Sequence, residues 1–285
     1  MPTDRAALNP PVLTTRALAL DAAVWLITTV FACSSYAMEW ITHRANGCGG
    51  DENSLDAISR MQAAGATRIE VDVQLSGDRI AVLFHDEEIN GQGISDLTYE
   101  EIRQRLGSVT DPRLPTTLLD ALNASESGTK WLLDIKSDNP RDVSAVTRTI
   151  RLSRIDLSNL IIQSEYPDVL STFEKALPSV RLHWLARAKR RGWWPRPPDA
   201  AAIARKASSM GVDGVSLKGR SFIDRDFVSA MKGRDLMVFV WTINRESRAE
   251  HYHRSGVDGL ITDRMIELRR LFDRNHSGSC ASRNR

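Results

Sequence analysis

Three carboxylates in the chain have the residue types and the spacing that a divalent cation requires. Glu70 and Asp72 lie two residues apart in IEVD, within a run rich in β-branched residues. Because the side chains of a strand alternate between its two faces, both carboxylates point to one side and repel each other. Mg²⁺ or Ca²⁺ would remove this repulsion, and Asp134 in LLDIK offers a third hard oxygen ligand. For the pair alone, a salt-bridged strand end is the alternative.

Two histidines could carry out proton transfer beside these carboxylates. His43 is the last residue of the first predicted strand, and His85 directly follows the third. Imidazole titrates near neutral pH, so one ring could take a proton from an attacking group while the other gives one to a leaving oxygen. Arg44 and Lys136 add the fixed positive charge that holding a phosphate requires. The remaining histidines are expected to have structural roles: His183, His251, His253 and His276.

The composition narrows the class of protein. The chain has 285 residues, of which 42% are apolar and 26% charged, as in an ordinary globular protein. Lys and Arg number 38 against 36 Asp and Glu, so no dominant basic field favours nucleic acid as a partner. Cys33, Cys48 and Cys280 lie far apart and indicate neither a disulfide framework nor a zinc site. Any metal is therefore expected to be held by oxygen.

The elements that must position these residues follow a repeated βα pattern. Nine strands are predicted, at residues 40–43, 67–73, 80–84, 131–136, 160–163, 180–185, 213–217, 236–241 and 258–262. Helical patterns follow most of them, for example at 54–64, 98–106 and 245–255. Only six residues separate the second and third strands, too few for a parallel crossover, so these two form an antiparallel hairpin.

Eight strands remain once the strand at 80–84 is set aside, which is the number in a (β/α)8 barrel. The sequence thus predicts an α/β protein, a (β/α)8 TIM barrel with a β-hairpin excursion after the second strand. A doubly wound sheet is the rival, but CGG at 48–50 lacks the spacing of a dinucleotide-binding turn. In a barrel, the carboxyl ends of all strands open onto one face, which would bring the candidate residues together.

Six blocks of sequence, in order, resemble the glycerophosphodiester phosphodiesterase family between residue 40 and about 270. They are ITHRANGCGGDENS, RIEVDVQLSGDRIAVLFHD, LPTTLLDAL, LLDIK, VWTIN and GVDGLITD. The resemblance implies hydrolysis of a small phosphodiester to an alcohol and a phosphomonoester. It implies His43 and His85 as the acid–base pair, with one Ca²⁺ or Mg²⁺ as cofactor. The other residues it assigns are Glu70, Asp72 and Asp134 to the metal, Arg44 and Lys136 to the phosphate, and Trp241 to the alcohol.

Some residues depart from the family pattern. Ala45 replaces the glycine of HRG, Asp51 replaces the proline of PEN, and Asp134 replaces the glutamate of ExK. With an aspartate at this last position, the sequence is similar to related sphingomyelinase D and sugar-phosphodiester enzymes. The alternatives are therefore a phospholipase D-type lipid or sugar-phosphodiester enzyme of the same superfamily, and a non-catalytic barrel that binds sugar phosphates.

The N-terminal segment is expected to direct the protein out of the cytoplasm. Residues 22–38 carry no charge, Arg5 and Arg16 precede them, and Ser35-Tyr36-Ala37 resembles a signal-peptidase site. Residues 1–38 are thus predicted to be a signal peptide or a membrane-associated segment, 39–273 the phosphodiesterase barrel and 274–285 a flexible polar tail. A periplasmic or secreted location is expected, with a membrane-anchored or cytoplasmic protein as the alternatives.

A basic segment with two tryptophans follows the strand at 180–185. Residues 187–198 read RAKRRGWWPRPP, with five Arg or Lys residues around Trp193 and Trp194. This combination is typical of peripheral contact with an anionic membrane or of a lid over a substrate. A solvated loop, with the two tryptophans packed on a neighbouring helix, is the alternative.

Overall fold

The computed structural model describes residues 38–46, 52–106, 115–186 and 198–277, which contain eleven strands and nine α-helices. The strands are β1 (Glu39–Thr42), β2 (Arg68–Leu75), β3 (Ala81–Leu83), β4 (Glu88–Ile89), β5 (Gln92–Gly93), β6 (Lys130–Ile135), β7 (Leu160–Ser164), β8 (Arg181–Ala186), β9 (Gly214–Lys218), β10 (Met237–Trp241) and β11 (Gly259–Thr262). The helices are α1 (Leu55–Ala63), α2 (Tyr99–Leu106), α3 (Leu118–Asn123), α4 (Val143–Leu152), α5 (Pro167–Ala176), α6 (Ala200–Ser209), α7 (Arg225–Lys232), α8 (Glu246–Ser255) and α9 (Met265–Ser277).

Eight of the strands form a closed parallel barrel. Their order around the ring is β1, β2, β6, β7, β8, β9, β10 and β11, and β11 pairs again with β1. β3 adds to β2 in the antiparallel direction, with Val73 opposite Leu83. The predicted (β/α)8 TIM barrel with a hairpin excursion is confirmed.

Alternation along the strands separates two apolar layers. Inside the barrel, the side chains of Ile41, Leu132, Ile161, Phe239 and Ile261 pack against one another. The outward side chains, such as Ile69 and Trp131, are fully buried in the layer between strands and helices. The apolar runs of the strands therefore have apolar partners on both faces, as parallel strands require.

A histidine and a glycine share one level of the barrel interior. His183 of β8 is fully buried, and burial together with the charges of Arg68 and Arg181 lowers its pKa to about 3. Gly214 lies opposite it on β9, where a Cβ atom would be 2.5 Å from His183 Nε2. The neutral imidazole of His183 thus occupies the space that a side chain at position 214 would need. This agrees with the structural role expected for His183.

An ion-pair cluster lies at the amino-terminal end of the barrel strands. Arg68 is 1% exposed, and its Nε is 2.8 Å from Glu39 Oε2. Lys130 Nζ is 3.2 Å from Glu39 Oε1. Burial raises the pKa of Glu39, but Arg68 and Lys130 outweigh it, so the pKa is lowered. The buried charges at this end are therefore paired, as their removal from water requires.

Two details differ from the sequence-based assignment. The short hairpin of β4 and β5 was not predicted, although Asn90 and Gly91 between them have φ angles of 52° and 78°. Tight hairpin turns require positive φ angles, so an Asn-Gly pair is a strong hairpin signal. The sequence-based assignment did not include this hairpin. At the other end of the chain, α9 continues to Ser277, four residues into the expected tail.

Two predicted segments lie outside the described residues: the expected signal or membrane-associated segment up to residue 37, and residues 187–197 of the basic segment. In the part of the chain that the structure describes, no helix has the length and apolar character to cross a bilayer.

Candidate active site

Three buried carboxylates meet at the carboxyl ends of β2 and β6. Asp72 lies opposite Asp134 in the strand register, and Glu70 lies two residues earlier on the same side of β2. Their exposed fractions are only 1–4%, and donor oxygens of all three lie within 4.8 Å of one another. Asp134 Oδ1 has no hydrogen-bond partner within the described residues. An all-oxygen set with an unsatisfied buried acceptor fits a hard divalent cation.

The pKa values of the three carboxylates also favour a bound cation. Burial and the charge of Asp72 raise the pKa of Glu70 to about 8. Burial also raises the pKa of Asp134 despite the opposing charge of Lys136. For Asp72, burial is outweighed by Lys136 and by a hydrogen bond from Asn53, so its pKa is lowered. Without a cation, the cluster therefore keeps a proton at neutral pH, which a bound metal would displace.

Two basic side chains flank the carboxylates. Lys136 Nζ is 2.8 Å from Asp72 Oδ1 and 2.5 Å from Asp134 Oδ2. Arg44 Nε is 3.4 Å from Asp72 Oδ2. The Arg44 backbone N–H donates to Glu70 Oε2 at 2.7 Å, which ties the end of β1 to β2. These contacts fix two positive charges beside the carboxylate cluster.

His43 is oriented by a carboxylate from the far end of the sequence. Its Nδ1 is 2.6 Å from Asp263 Oδ1, and Asn244 Nδ2 donates to Asp263 Oδ2 at 2.6 Å. Burial opposes protonation of His43, but the hydrogen bond to Asp263 and the charges of Glu70 and Asp263 prevail, so the pKa is raised. With Nδ1 engaged, Nε2 is the ring nitrogen left for a substrate.

His85 is positioned in a similar way at the end of the β2–β3 hairpin. Its Nδ1 is 2.8 Å from Asp86 Oδ1. Gln74 Nε2 donates to the carbonyl oxygens of Phe84 at 3.0 Å and Asp86 at 2.6 Å. The loop that carries His85 is thereby fixed to β2.

All eight site residues expected from the sequence line one cavity of about 550 Å³. They are His43, Arg44, Glu70, Asp72, His85, Asp134, Lys136 and Trp241. Trp241 lies at the end of β10, on the side of the ring away from β6. The structure brings these residues together, while their individual roles stay predictions.

Sequence reasoning assigned no role to several residues that hold this site. Asn53 Nδ2 donates to Asp72 Oδ2 at 3.0 Å, and Asn53 Oδ1 accepts from the Asp72 backbone N–H at 3.0 Å. Arg44 Nη1 donates to Glu52 Oε1 at 2.8 Å. Asp263 and Asn244 orient His43 as described above. All four belong to the family-like blocks DEN, VWTIN and LITD, so the signal was present in the sequence.

Fold and site together define a class: a barrel phosphodiesterase with a cluster of oxygen ligands, at the carboxyl ends of its strands, that could hold a metal. A model of the "Glycerophosphoryl diester phosphodiesterase family" matches residues 43–267, and the chain belongs to this family.

Relatives with related names cover most of the chain. A glycerophosphodiester phosphodiesterase of Caldanaerobacter subterraneus is 26% identical over 238 residues, covering 78% of this chain and 93% of that protein. A glycerophosphodiester phosphodiesterase structure from Parabacteroides distasonis has a TM-score of 0.71 at 21% identity, covering 84% and 98% of the two chains. An Oleispira antarctica phosphodiesterase, solved with the product sn-glycerol-3-phosphate, has a TM-score of 0.69 at 22% identity and covers 82% and 96%. These two structures share the barrel fold.

Proposed function

We propose that this protein hydrolyses a glycerophosphodiester, or a closely related phosphodiester, to an alcohol and a phosphomonoester. The observation that carries the proposal is one cavity in which two carboxylate-oriented histidines face three buried carboxylates and two fixed cations. The product named for the Oleispira antarctica relative, sn-glycerol-3-phosphate, is what such a reaction would yield.

Glu70, Asp72 and Asp134 are the residues that would hold one Ca²⁺ or Mg²⁺, because oxygen ligands suit these two ions. When bound, the ion would supply positive charge to a phosphate oxygen and favour the charge that develops there. Arg44 and Lys136 would bind the other phosphate oxygens, and their contacts to the carboxylates keep both side chains in place.

His43 and His85 would divide two proton transfers between them. One Nε2 accepts the proton of the attacking water as its oxygen bonds to phosphorus. The other Nε2 gives a proton to the alcohol oxygen as the phosphorus–oxygen bond to it breaks. Asp263 and Asp86 hold the Nδ1 atoms, so each ring presents Nε2 toward the cavity.

A substrate panel tests this proposal. Glycerophosphocholine, lysophosphatidylcholine, a sugar phosphodiester and bis(p-nitrophenyl) phosphate are each offered with Ca²⁺ and with Mg²⁺. His43→Ala and His85→Ala should each lower the rate by about 10²–10⁴-fold, as expected for proton-transfer groups. His251→Ala is the control and should leave the rate unchanged. Preference for the lysolipid would favour the phospholipase D-type alternative, and no turnover of any substrate would favour a binding protein.

We also propose that residues 187–198 contact anionic membranes, on the basis of their sequence. Trp193→Ala/Trp194→Ala should weaken sedimentation with anionic vesicles, and the binding should fade as salt shortens the Debye length from about 10 Å at 0.1 M to about 3 Å at 1 M. Slower turnover of small soluble substrates by this variant would instead indicate a lid. Wild-type behaviour in both assays would mean a solvated loop.

A further inference from the structure

We propose that Gln163 supplies a further protein oxygen, through the carbonyl group of its side-chain amide, to the cation of the carboxylate cluster. The carboxylate cluster consists of Glu70, Asp72 and Asp134. This inference rests on the proposed function and adds a residue to the same site. Gln163 lies outside the six family-like blocks of sequence. Because Ca²⁺ takes amide carbonyl oxygens as well as carboxylates, the residue type suits this role.

Three neighbouring strands place polar side chains at one level of the barrel interior. Asp72 of β2 lies opposite Asp134 of β6, and Asp134 lies opposite Gln163 of β7. Two residues earlier on β6 and β7, Leu132 and Ile161 also lie opposite each other and pack inside the barrel. Since side chains alternate along a strand, Asp134 and Gln163 face the interior as well. Gln163 is thus the lateral neighbour of the carboxylate cluster.

The amide oxygen of Gln163 is buried without a hydrogen-bond donor. Gln163 is 3% exposed and lines the same cavity as the carboxylate cluster. Within the described residues, neither its Oε1 nor the Oδ1 of the adjacent Asp134 has a hydrogen-bond partner. Buried acceptors are normally satisfied, so two neighbouring ones without a donor indicate a ligand that both would contact.

The donors close to these two oxygens are engaged with other atoms. Lys136 Nζ contacts Asp72 Oδ1 and Asp134 Oδ2. Asn53 Nδ2 donates to Asp72 Oδ2. Because Asp134 belongs to a group of three buried carboxylates, a cation would satisfy its free oxygen and that of Gln163 better than a neutral donor would.

The neighbour of Gln163 on the other side forms no hydrogen bond with it. His183 of β8 lies opposite Gln163 in the strand register. A Cβ atom at Gly214 of β9 would be 2.5 Å from His183 Nε2, so this nitrogen points toward β9 and away from β7. His183 Nδ1 is 3.4 Å from the Oγ of Ser216, which is also on β9. The carboxylate cluster is therefore the side on which the Gln163 amide can bind a ligand.

A neutral amide adds an oxygen without adding charge. Burial and the charge of Asp72 raise the pKa of Glu70 to about 8, so a further carboxylate would increase a repulsion that is already large. Lys136 contacts one oxygen each of Asp72 and Asp134. The carboxylates thus leave positions open in the shell of about six to eight oxygens that Ca²⁺ takes.

Calorimetry on the metal-free protein tests the inference without measuring turnover. Ca²⁺ and Mg²⁺ are titrated into the wild type, and the variants are measured with the ion that binds more tightly. Gln163→Leu removes the amide and leaves an apolar side chain in its place. We expect the metal affinity to fall at least about 10-fold, as it does when a group that holds a metal site is lost.

A second buried glutamine provides the matched control. Gln62 on α1 is 8% exposed, and its Nε2 donates to Thr129 Oγ1 at 2.9 Å. Gln62→Leu also removes a buried amide, but Gln62 does not line the cavity. This variant should lose stability and keep the wild-type metal affinity.

Gln163→Glu separates a ligand from a residue that only packs. This variant keeps an oxygen at the site and adds a negative charge. We expect its metal affinity to equal or exceed that of the wild type, while the metal-free variant has a lower Tm because of the added repulsion. The rise in Tm on addition of the metal should therefore be larger than in the wild type. If Gln163 only packed against its neighbours, both substitutions would weaken metal binding.

The outcomes separate this inference from the proposed function. A metal affinity of Gln163→Leu within about 2-fold of the wild type would overturn the inference alone, and a raised KM in that variant would then mean that Gln163 contacts the substrate. Should Gln163→Leu fail to fold, a weaker metal affinity in Gln163→Glu would overturn it. A wild type that binds neither ion would overturn both the metal assignment and this inference. A wild type that binds metal but hydrolyses no phosphodiester would overturn only the proposed function.

Discussion

Five carboxylates at the mouth of the barrel have two different tasks at the level of single residues. Glu70, Asp72 and Asp134 are buried together, where their mutual repulsion is offset only in part by Lys136. Asp263 and Asp86 instead each hold the Nδ1 atom of one histidine. Burial among like charges suits the first group to a metal, and a single imidazole neighbour suits the second group to orientation.

Removal of one charge from the buried cluster should abolish metal binding. We expect Glu70→Gln or Asp72→Asn to eliminate detectable Ca²⁺ or Mg²⁺ binding in calorimetry and to lower kcat by at least about 10²-fold, since the phosphate loses its main electrostatic partner. Glu126→Gln, at the other end of the barrel, serves as the control. Unchanged metal affinity in both site variants would refute the assignment of the cluster.

Asp263 should act on the chemistry only through His43. Because Asp263 raises the pKa of His43, Asp263→Asn should lower that pKa, which NMR titration of the imidazole measures. The limb of the kcat/KM profile that His43 controls should move to lower pH, and kcat should fall at least about 10-fold. Asp273→Asn, on α9, is the matched control. An unmoved His43 titration would mean that Asp263 has only a structural role.

At the scale of elements, β2 places three charged side chains at successive levels of the barrel. Arg68, Glu70 and Asp72 are separated by two residues each, so all three face inward. Arg68 pairs with Glu39 at the amino-terminal end, whereas Glu70 and Asp72 reach the carboxyl end. One strand thus contributes both to the closed end of the barrel and to its site.

The fit of β9 against β8 can be tested by a single methyl group. In Gly214→Ala, the new Cβ would lie 2.5 Å from His183 Nε2 and 2.8 Å from the Met237 carbonyl oxygen. We expect the free energy of unfolding to fall by about 1–3 kcal/mol, as for other overpacked cores. Gly233→Ala at the end of α7 is the control, with a nearest contact of 3.4 Å. Equal stability of the two variants in denaturant titrations would contradict this packing.

In the whole molecule, the buried carboxylates at the carboxyl end of the barrel lower the stability of the folded state. The amino-terminal end pairs its buried charges, but Glu70 has a pKa of about 8 in the folded protein against 4.5 for an ordinary glutamate. Between these values, the folded state keeps a proton that the unfolded state releases. Stability therefore decreases as pH rises through this window, and a bound cation would compensate.

The metal-free protein should thus lose stability from pH 6.5 to 8.0. One retained proton gives a slope of about 1.4 kcal/mol per pH unit, or about 2 kcal/mol over this range. The raised pKa of His43 acts in the same direction, whereas His183, with a pKa of about 3, lowers stability only below pH 6.5. Ca²⁺ should reduce the loss, and Glu70→Gln should flatten it. Thermal unfolding at constant ionic strength measures both effects, and a Tm that rises over this range would contradict the prediction.

The sequence by itself determined much of the fold and the composition of the site. Six residues between two strands allow a hairpin and exclude a parallel crossover, and alternation along IEVD puts Glu70 and Asp72 on one side. The count of eight further strands led to the barrel, which the ring of pairings confirms. These inferences depend on chain length and side-chain period, which are local properties.

Only the tertiary structure decided which groups face each other and at what free-energy cost. Asp263 reaches His43 across 220 residues because β11 closes the ring against β1. The raised pKa of Glu70 needs both burial and the charge of Asp72. Burial and distance are properties of the closed barrel, so neither local pattern nor spacing along the chain determines them.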